Sequence, residues 1–250
     1  MKKFTKTSIN GVVTTMATLL LASVTLAATG DSGSDYTATD LDNGGSITGT
    51  IRFASDLPDL KDIKVSKDKK VCGKHRADES LAVNPESKGL KNVVVYLRNV
   101  KTGKEWIDPE TAPTMDQKGC RFSPRVLVVA AGEKLNMLNN DGILHNIHTR
   151  SRINRELNKA QPKFLKKIKI GFDEPEFVKV TCDVHNWMTG WIVVAANPYY
   201  TVTDASGRFE LTNIPPGTYE LEIWQEKLGQ QRRQVEVKAS EVTTVNAELK

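Results

Sequence analysis

From Gly45 to its C-terminus the chain consists of short runs of strand-forming residues, separated by Gly, Pro, Asn and Asp. Runs such as "NVVVYLRNV", "RVLVVAAG", "WIVVAA" and "TYELEIW" are rich in Val, Ile, Tyr and Trp. Short runs at this spacing are typical of β-sandwiches. Only residues 151–167 could hold a helical turn or two, and Pro162 limits that helix. The sequence therefore predicts an all-β protein.

The first 28 residues have the features of a secretory signal peptide. Lys2, Lys3 and Lys6 precede an apolar stretch, and small residues follow near Ala27 and Ala28. The apolar stretch is short and rich in Thr and Ser, so we expect no stable membrane span after cleavage. Export predicts a periplasmic or secreted protein, for which nucleic acid is not an expected partner. Residues 29–45 contain mostly Gly, Ser, Thr and Asp and are predicted to be a flexible acidic linker.

The chain has three cysteines, Cys72, Cys120 and Cys182. Cysteines of exported proteins usually pair, and an odd count leaves one thiol over. A free thiol in an oxidising compartment needs a reason to persist, and metal ligation is one. We therefore predict a disulfide between Cys72 and Cys120, and a free Cys182.

Residue types that bind metals lie close to Cys182 in the sequence. In "TCDVHNWMTG", Cys182, His185 and Met188 follow one another at intervals of three residues, so a thiol, an imidazole and a thioether share one turn. Upstream, "HNIH" supplies His145 and His148 after an apolar strand. These two histidines face opposite sides of a strand, so only one of them can point at the turn.

The two segments together resemble the copper site of the cupredoxins, the type 1 blue copper proteins, and in particular that of the amicyanin type. The resemblance covers roughly residues 120–196. It implies a Greek-key β-sandwich that binds one copper per chain through His145, Cys182, His185 and Met188. It also implies that the Asn146 side chain braces the cysteine loop.

The donor chemistry agrees with this resemblance. Two imidazoles and a thiolate with a weak axial thioether form a blue-copper site, whereas structural zinc takes four strong ligands. A copper enzyme with a second metal would need more histidines, and only His75 and His148 remain. We therefore expect an electron-transfer protein and not an enzyme. The alternative is a copper-binding or storage protein, or a structural module of the cell envelope, without redox turnover.

The last 53 residues carry a different pattern. "TVTDASGRFELTNIPPGTYELEIW" alternates apolar and polar residues around two turns, and Pro216-Gly217 suits a type II turn. The stretch resembles the carboxypeptidase regulatory-like domain, a small transthyretin-like β-sandwich. Residues 198–250 alone hold too few strands for such a domain. The expected organisation is a cupredoxin over 111–197 inserted into a sandwich formed by 46–110 and 198–250. Alternatively, residues 46–110 contribute their strands to the cupredoxin.

The expected partner is a redox protein. Three of the 35 basic residues belong to the predicted signal peptide, so against 30 acidic residues the mature chain is nearly balanced. A basic run nevertheless follows His148, and we expect Arg150, Arg152 and Arg155 to attract an acidic partner such as a c-type cytochrome. Trp187 is expected to form an apolar rim beside a solvent-facing His185.

Overall fold

The structure is a computed structural model that describes Met1 and residues 36–106 and 112–250. Apart from Met1, the predicted signal peptide lies outside the described residues, as do residues 29–35 of the predicted linker. The described chain is almost entirely β-structure, with one short α-helix, α1 (Lys69–Cys72), and one 3-10 turn (Glu79–Leu81). No helix in this part of the chain is long and apolar enough to span a membrane.

The strands are numbered in chain order. Those of the first half are β1 (Thr37–Ala38), β2 (Gly45–Phe53), β3 (Ile63–Lys64), β4 (His75–Arg76), β5 (Val94–Leu97), β6 (Thr102–Gly103), β7 (Thr114–Gln117), β8 (Phe122–Ser123), β9 (Val126–Ala130) and β10 (Lys134–Asn139). Those of the second half are β11 (His145–Arg150), β12 (Asn158–Gln161), β13 (Lys167–Gly171), β14 (Glu176–Thr181), β15 (Thr189–Ala195), β16 (Tyr200–Val202), β17 (Arg208–Ile214), β18 (Gly217–Gln225), β19 (Gly229–Val237), β20 (Val242–Thr244) and β21 (Ala247–Leu249).

One sandwich combines strands from both ends of the chain. Its sheets have the orders β17-β2-β20, with β21 also on β2, and β16-β5-β18-β19. Alternation of apolar and polar residues along β2 buries Ile47 and Ile51, which meet Leu97, Leu221 and Ile223 from the opposite sheet. Strands β2 and β5 therefore lie in the same sandwich as residues 200–249.

The other sandwich is formed by the middle of the chain. Its sheets have the orders β13-β10-β7-β8 and β12-β11-β14-β15-β9, with parallel pairs β7/β10 and β9/β15 among antiparallel ones. Its core contains Met115, Leu135, Ile147, Val180 and Ile192, each fully buried. The predicted fold class, two all-β sandwiches, is confirmed.

The chain between β2 and β5 does not stay with the first sandwich. Strands β3 and β4 pair as a hairpin around α1, and Val65 and Cys72 from this hairpin are buried in the core of the second sandwich. We call residues 63–76 the lid. A disulfide joins Cys72 of the lid to Cys120, and Cys182 is free. The segment 46–110 thus contributes residues to both sandwiches. A single domain boundary in the sequence cannot describe this arrangement.

Two local predictions are wrong. Residues 36–45 are not a flexible linker, because Thr37 and Ala38 pair in parallel with β6 and the Tyr36 hydroxyl donates to the carbonyl of Lys104. Residues 151–167 form no helix, and their regular part is β12, which pairs with β11. Thr37 and Ala38 pair with the distant strand β6, and β12 pairs with the strand directly before it, so in both cases strand pairing outweighs local composition.

Aromatic rings fill the junction between the two sandwiches. Trp191 contacts Trp224, Trp224 contacts Phe177, and Phe177 contacts Tyr96, with ring centroids 4.8, 4.8 and 5.7 Å apart. Tyr96 also stacks on Tyr200 at 4.4 Å. Phe177 and Trp191 come from β14 and β15, and the turn from Cys182 to Met188 lies between these two strands. The two sandwiches are therefore joined through an apolar contact as well as through the chain.

Next to this junction the Glu222 carboxylate, 2 % exposed, is held by three donors. It accepts from the Tyr96 hydroxyl at 2.6 Å and from Arg98 and Arg232 at 2.8 Å each. Burial opposes ionisation of this carboxyl group, but the three hydrogen bonds outweigh it and lower its pKa. The stabilisation is therefore present above the ordinary pKa of 4.5 and is lost as pH falls through the lower value in the folded state.

We predict that Glu222→Gln lowers the free energy of unfolding at pH 7 by about 2–4 kcal/mol, because two arginines lose a buried counter-charge. The matched control is Glu220→Gln, whose carboxylate is 34 % exposed and pairs with Arg98. That change should cost less than about 1 kcal/mol. Denaturant unfolding at pH 7 and at pH 3.5 measures both effects. The difference between wild type and Glu222→Gln should shrink at the lower pH, and a constant difference would contradict the assignment.

Candidate metal centre

Antiparallel pairing of β11 with β14 brings two metal-binding segments together. His148 lies opposite Thr181, so the start of β11 at His145 reaches the end of β14, where Cys182 follows. The turn from Cys182 to Met188 is closed by two backbone hydrogen bonds, Cys182 N–H to Met188 O at 3.2 Å and Met188 N–H to His185 O at 2.9 Å. The side chains of His145, Cys182, His185 and Met188 are at most 2 % exposed.

Three donor atoms converge inside this turn. The Nδ1 atoms of His145 and His185 are 2.9 Å apart, and the Cys182 Sγ lies 3.8 Å from each of them. A point in the plane of these three atoms lies about 2 Å from each, which is the range of metal–nitrogen and metal–thiolate bonds. The three side chains form a group that could bind a metal ion. Met188 is buried in the same cluster as Cys182.

The surroundings of Cys182 favour its thiolate. Burial of the thiol opposes ionisation, but hydrogen bonding with His145 and with the backbone amide of Asn146, whose nitrogen is 3.5 Å from Sγ, outweighs burial and lowers the pKa of Cys182. The thiolate is the form of cysteine that binds metals. The surroundings of Cys182 therefore favour the form of this side chain that binds a metal.

Asp141 orients the first imidazole. The His145 Nε2 lies 2.9 Å from Asp141 Oδ2, and Asp141 also accepts hydrogen bonds from the backbone amides of Gly119 and Cys120. With a proton on Nε2, Nδ1 is free to bind a metal. Burial alone would lower the pKa of His145, but the bonds to Asp141 and Cys182 outweigh it and raise that pKa to about 9. In the metal-free protein at neutral pH, His145 therefore carries a second proton on Nδ1, and a metal must displace that proton.

Asp68 of the lid orients the second imidazole, that of His185. Its Oδ2 lies 2.8 Å from the Nε2 of His185. Burial lowers the pKa of His185, and the bond to Asp68 offsets only part of that effect. Neither carboxylate belongs to the site that the sequence predicts. Asp141 could have been found, because it lies in the loop directly before His145. Asp68 is distant in sequence from both ligand segments, and only its closeness to Cys72 in the sequence connects it to this end of the sandwich.

The Asn146 side chain bridges the two ligand segments. Its Oδ1 accepts from the backbone amide of Asp183 at 2.6 Å, and its Nδ2 donates to the Asp183 carboxylate at 3.0 Å and to Asn158 Oδ1 at 2.8 Å. His148 points away from the donor cluster and bonds to Asp183 and Glu156 instead. These contacts fix Asp183, the residue directly after Cys182.

His185 does not face solvent as the sequence analysis expected. Its ring is fully buried, because the lid covers this end of the sandwich and places Asp68 against Nε2. The half-buried Trp187 lies beside it, with ring centroids 5.1 Å apart, and donates from Nε1 to the Cys120 carbonyl at 3.3 Å. Trp187 therefore helps to attach the disulfide segment and does not border an exposed ligand.

The three arginines of the basic run do not form one patch at the metal end. Strand β11 runs from His145 to Arg150, so the chain has moved about 16 Å along the strand by Arg150. The Arg150 guanidinium reaches back to Asp183, at 3.6 Å. The backbone amide of Arg152 donates to Glu176, the first residue of β14, at the opposite end of that strand from Cys182. Arg155 is exposed in the same loop.

Comparison with known proteins gives results for both sandwiches. The family model of the carboxypeptidase regulatory-like domain matches residues 185–250. Among solved structures, the chain is similar to a Cu-containing nitrite reductase from Thermus scotoductus SA-01, at 20% identity and a TM-score of 0.32, over 34% of this chain and 22% of the reductase. The chain thus spans about a fifth of that enzyme. No curated protein matches at the level of sequence.

Two smaller structures are matched along nearly their whole length. Amicyanin from Paracoccus versutus is 18% identical, with a TM-score of 0.32, over 40% of this chain and 97% of amicyanin. A purple cupredoxin from Nitrosopumilus maritimus is 20% identical, with a TM-score of 0.28, over 34% of this chain and all of that protein (100%). Both parts of the resemblance seen in the sequence, to cupredoxins and to the carboxypeptidase regulatory-like domain, are thus found again.

We predict that replacing both Cys72 and Cys120 by Ser lowers the free energy of unfolding of the metal-free protein by roughly 4 kcal/mol, because the disulfide closes a loop over a sequence separation of 48 residues. Lid amides should also exchange with solvent faster than those of β18, which has no contact with the disulfide. Hydrogen exchange and denaturant unfolding measure these effects. Unchanged protection of the lid would mean that Val65 and Asp68 hold it without the disulfide.

Proposed function

We propose that the chain is an exported copper protein that carries single electrons between redox partners. One copper per chain would be held by His145, Cys182, His185 and Met188. The observation that carries this proposal is the convergence of two imidazole nitrogens and one sulfur, all buried, around a point about 2 Å from each. Copper bound there would supply a one-electron couple between its +2 and +1 states.

The donor set suits copper better than other metals. Thiolate and imidazole ligands exclude the hard cations magnesium and calcium, which take oxygen. Zinc also binds such a group, but a structural zinc site needs a fourth strong ligand, and the remaining buried donor in this cluster is the thioether of Met188. Two histidines, a cysteine and a weak methionine are the ligands of blue-copper electron-transfer sites.

The protein around the donors is suited to electron transfer. Asn146, Asp141 and Asp68 hold the ligand segments in place, so the donors need little rearrangement when the charge at the centre changes. The cavity that reaches Met188 has a volume of about 60 Å³, which admits only a few water molecules. A substrate could not reach the donors directly, whereas an electron can tunnel through protein.

These features favour a carrier over the alternatives. The two groups of metal-binding side chains in residues 36–106 and 112–250 share His145, and the second of them includes Cys120, which is in the disulfide. This part of the chain therefore offers one metal site, whereas the enzyme alternative needs two. A copper-storage role would not require carboxylates that orient both imidazoles. Export to the periplasm or the exterior rests on the N-terminal sequence.

The metal assignment is tested with purified mature protein. It should bind one copper and show an intense visible absorption band when oxidised, because the Cys182 thiolate donates charge to Cu(II). Cys182→Ala should abolish the band, and Met188→Leu should keep it while raising the reduction potential. His148→Ala is the matched control and should leave stoichiometry and spectrum unchanged. A band that survives Cys182→Ala would refute the site.

We also predict that Asp68→Asn raises the reduction potential of the copper-loaded protein by about 50 mV, close to a tenfold change in the one-electron equilibrium. The reason is that the Asp68 carboxylate at His185 stabilises the more positive oxidation state. Asp62→Asn removes an exposed charge just before the lid and is the control, with an expected shift below about 15 mV. Redox titration monitored optically measures both. Equal shifts would show that Asp68 has no special coupling to the site.

A further inference from the structure

The outer face of the lid is strongly basic. Its five lysines are all exposed: Lys64, Lys67, Lys69, Lys70 and Lys74. Among residues 36–106 and 112–250, no described ion pair involves any of them. The lid contains one carboxylate, Asp68, and that group is bonded to His185. The lid therefore presents positive charge that the protein itself does not neutralise.

This charge lies on a fixed surface. The lid is held by the Cys72–Cys120 disulfide, by the buried side chain of Val65, and by the bond between Asp68 and His185. A surface that is already ordered loses less conformational entropy when a partner binds. Fixed charges also orient an approaching partner more effectively than charges on a mobile tail.

The lid also connects the donor cluster to solvent through His185 and Asp68. That imidazole is fully buried, but its hydrogen-bond partner Asp68 has a side chain that is 36 % exposed. Lys67 and Lys69 flank Asp68 in the sequence. A partner seated on the lid would therefore be separated from a metal ligand by one carboxylate and one hydrogen bond of 2.8 Å.

An exposed apolar residue lies among the lysines. Val71, in α1, is 42 % exposed and follows Lys69 and Lys70. An apolar contact surrounded by charge suits a transient complex, in which the charges speed association and the apolar contact holds the partners briefly.

We propose that the lid is the docking surface for an acidic one-electron redox protein. The proposal rests on the proposed function for the redox character of the partner, whereas the docking itself requires only the lid. In the complex one electron would move between the centre and the partner. One of them would be oxidised and the other reduced by one electron, and no proton would be transferred. The arginines from Arg150 to Arg155 are not part of this surface.

Binding to the metal-free mature protein tests docking independently of copper. The probe is succinylated cytochrome c, which is acidic, and unmodified cytochrome c, which is basic, is its counterpart. The lid variant is Lys64→Glu, Lys70→Glu and Lys74→Glu. The control variant replaces three exposed basic residues of the other sandwich by Glu, namely Arg208, Lys238 and Lys250. Its net charge therefore changes by the same amount. Lysine-to-glutamine changes at the three lid positions provide a milder variant should charge reversal disturb folding.

At low ionic strength the lid variant should bind succinylated cytochrome c at least about tenfold more weakly than wild type, and the control variant less than about threefold more weakly. The affinity of wild type should fall as salt is added. Cross-links formed by a carbodiimide between lysines and carboxylates should map to the lid. Equal losses of affinity in the lid and control variants would overturn the proposal.

Electron exchange with the copper-loaded protein provides the second measurement. The lid variant should exchange electrons with succinylated cytochrome c at least about tenfold more slowly, with an unchanged visible spectrum. Leu144 and Phe164, exposed by 46 % and 81 %, mark the competing surface beside His145. If changing both to Ser slows exchange more than the lid variant does, the lid proposal is wrong. Failure to bind copper would instead refute the proposed function, and binding to the metal-free protein would still test the lid.

Discussion

The antiparallel pairing of β11 with β14 is the interaction on which the donor cluster depends. Opposite chain directions place the first residue of β11, His145, at the end of β14, where Cys182 begins the turn to Met188. A slip of one residue would turn His145 to the other face of the sheet, where His148 now bonds to Asp183 and Glu156. The buried Ile147 and Val180 oppose such a slip, because it would expose them.

The two sandwiches are interdependent because the chain passes between them. Strands β2 and β5 lie in the sandwich that contains residues 200–249, and the chain between them reaches across to form the lid. The disulfide joins the lid to Cys120. Asp141 accepts hydrogen bonds from the backbone amides of Gly119 and Cys120 and is also bonded to His145. The lid, the disulfide segment and one ligand are thus connected through a few direct contacts. This arrangement explains why the His185 imidazole of the candidate metal centre is covered by Asp68, a residue far upstream in the sequence.

In the proposed electron carrier, the covering of His185 would change how electrons reach the centre. In an arrangement with an exposed imidazole edge, a partner would meet the ligand directly. In the proposed docking, a partner would meet Asp68 and the lysines around it, so the lid would set both the charge of the contact and the distance to the metal ligand. The potential and the choice of partner would then be adjusted by residues on the same hairpin. A change in the lid could alter partner choice without changing any ligand.

Sequence by itself determined the strand-rich composition, the odd cysteine, and the donor types at His145, Cys182, His185 and Met188. These features depend on residue type and on spacing within one strand or one turn, which local pattern records. Only the tertiary structure decided that Asp68 meets His185, that the lid buries this imidazole, and that Arg152 lies at the far end of β14. Each of these depends on how segments distant in sequence meet: the Cys72–Cys120 disulfide holds the lid on the second sandwich, and strand pairing sets the direction in which β11 leaves the site. Composition cannot encode such contacts, because the same charged residues can lie on any exposed face until strand pairing fixes their positions.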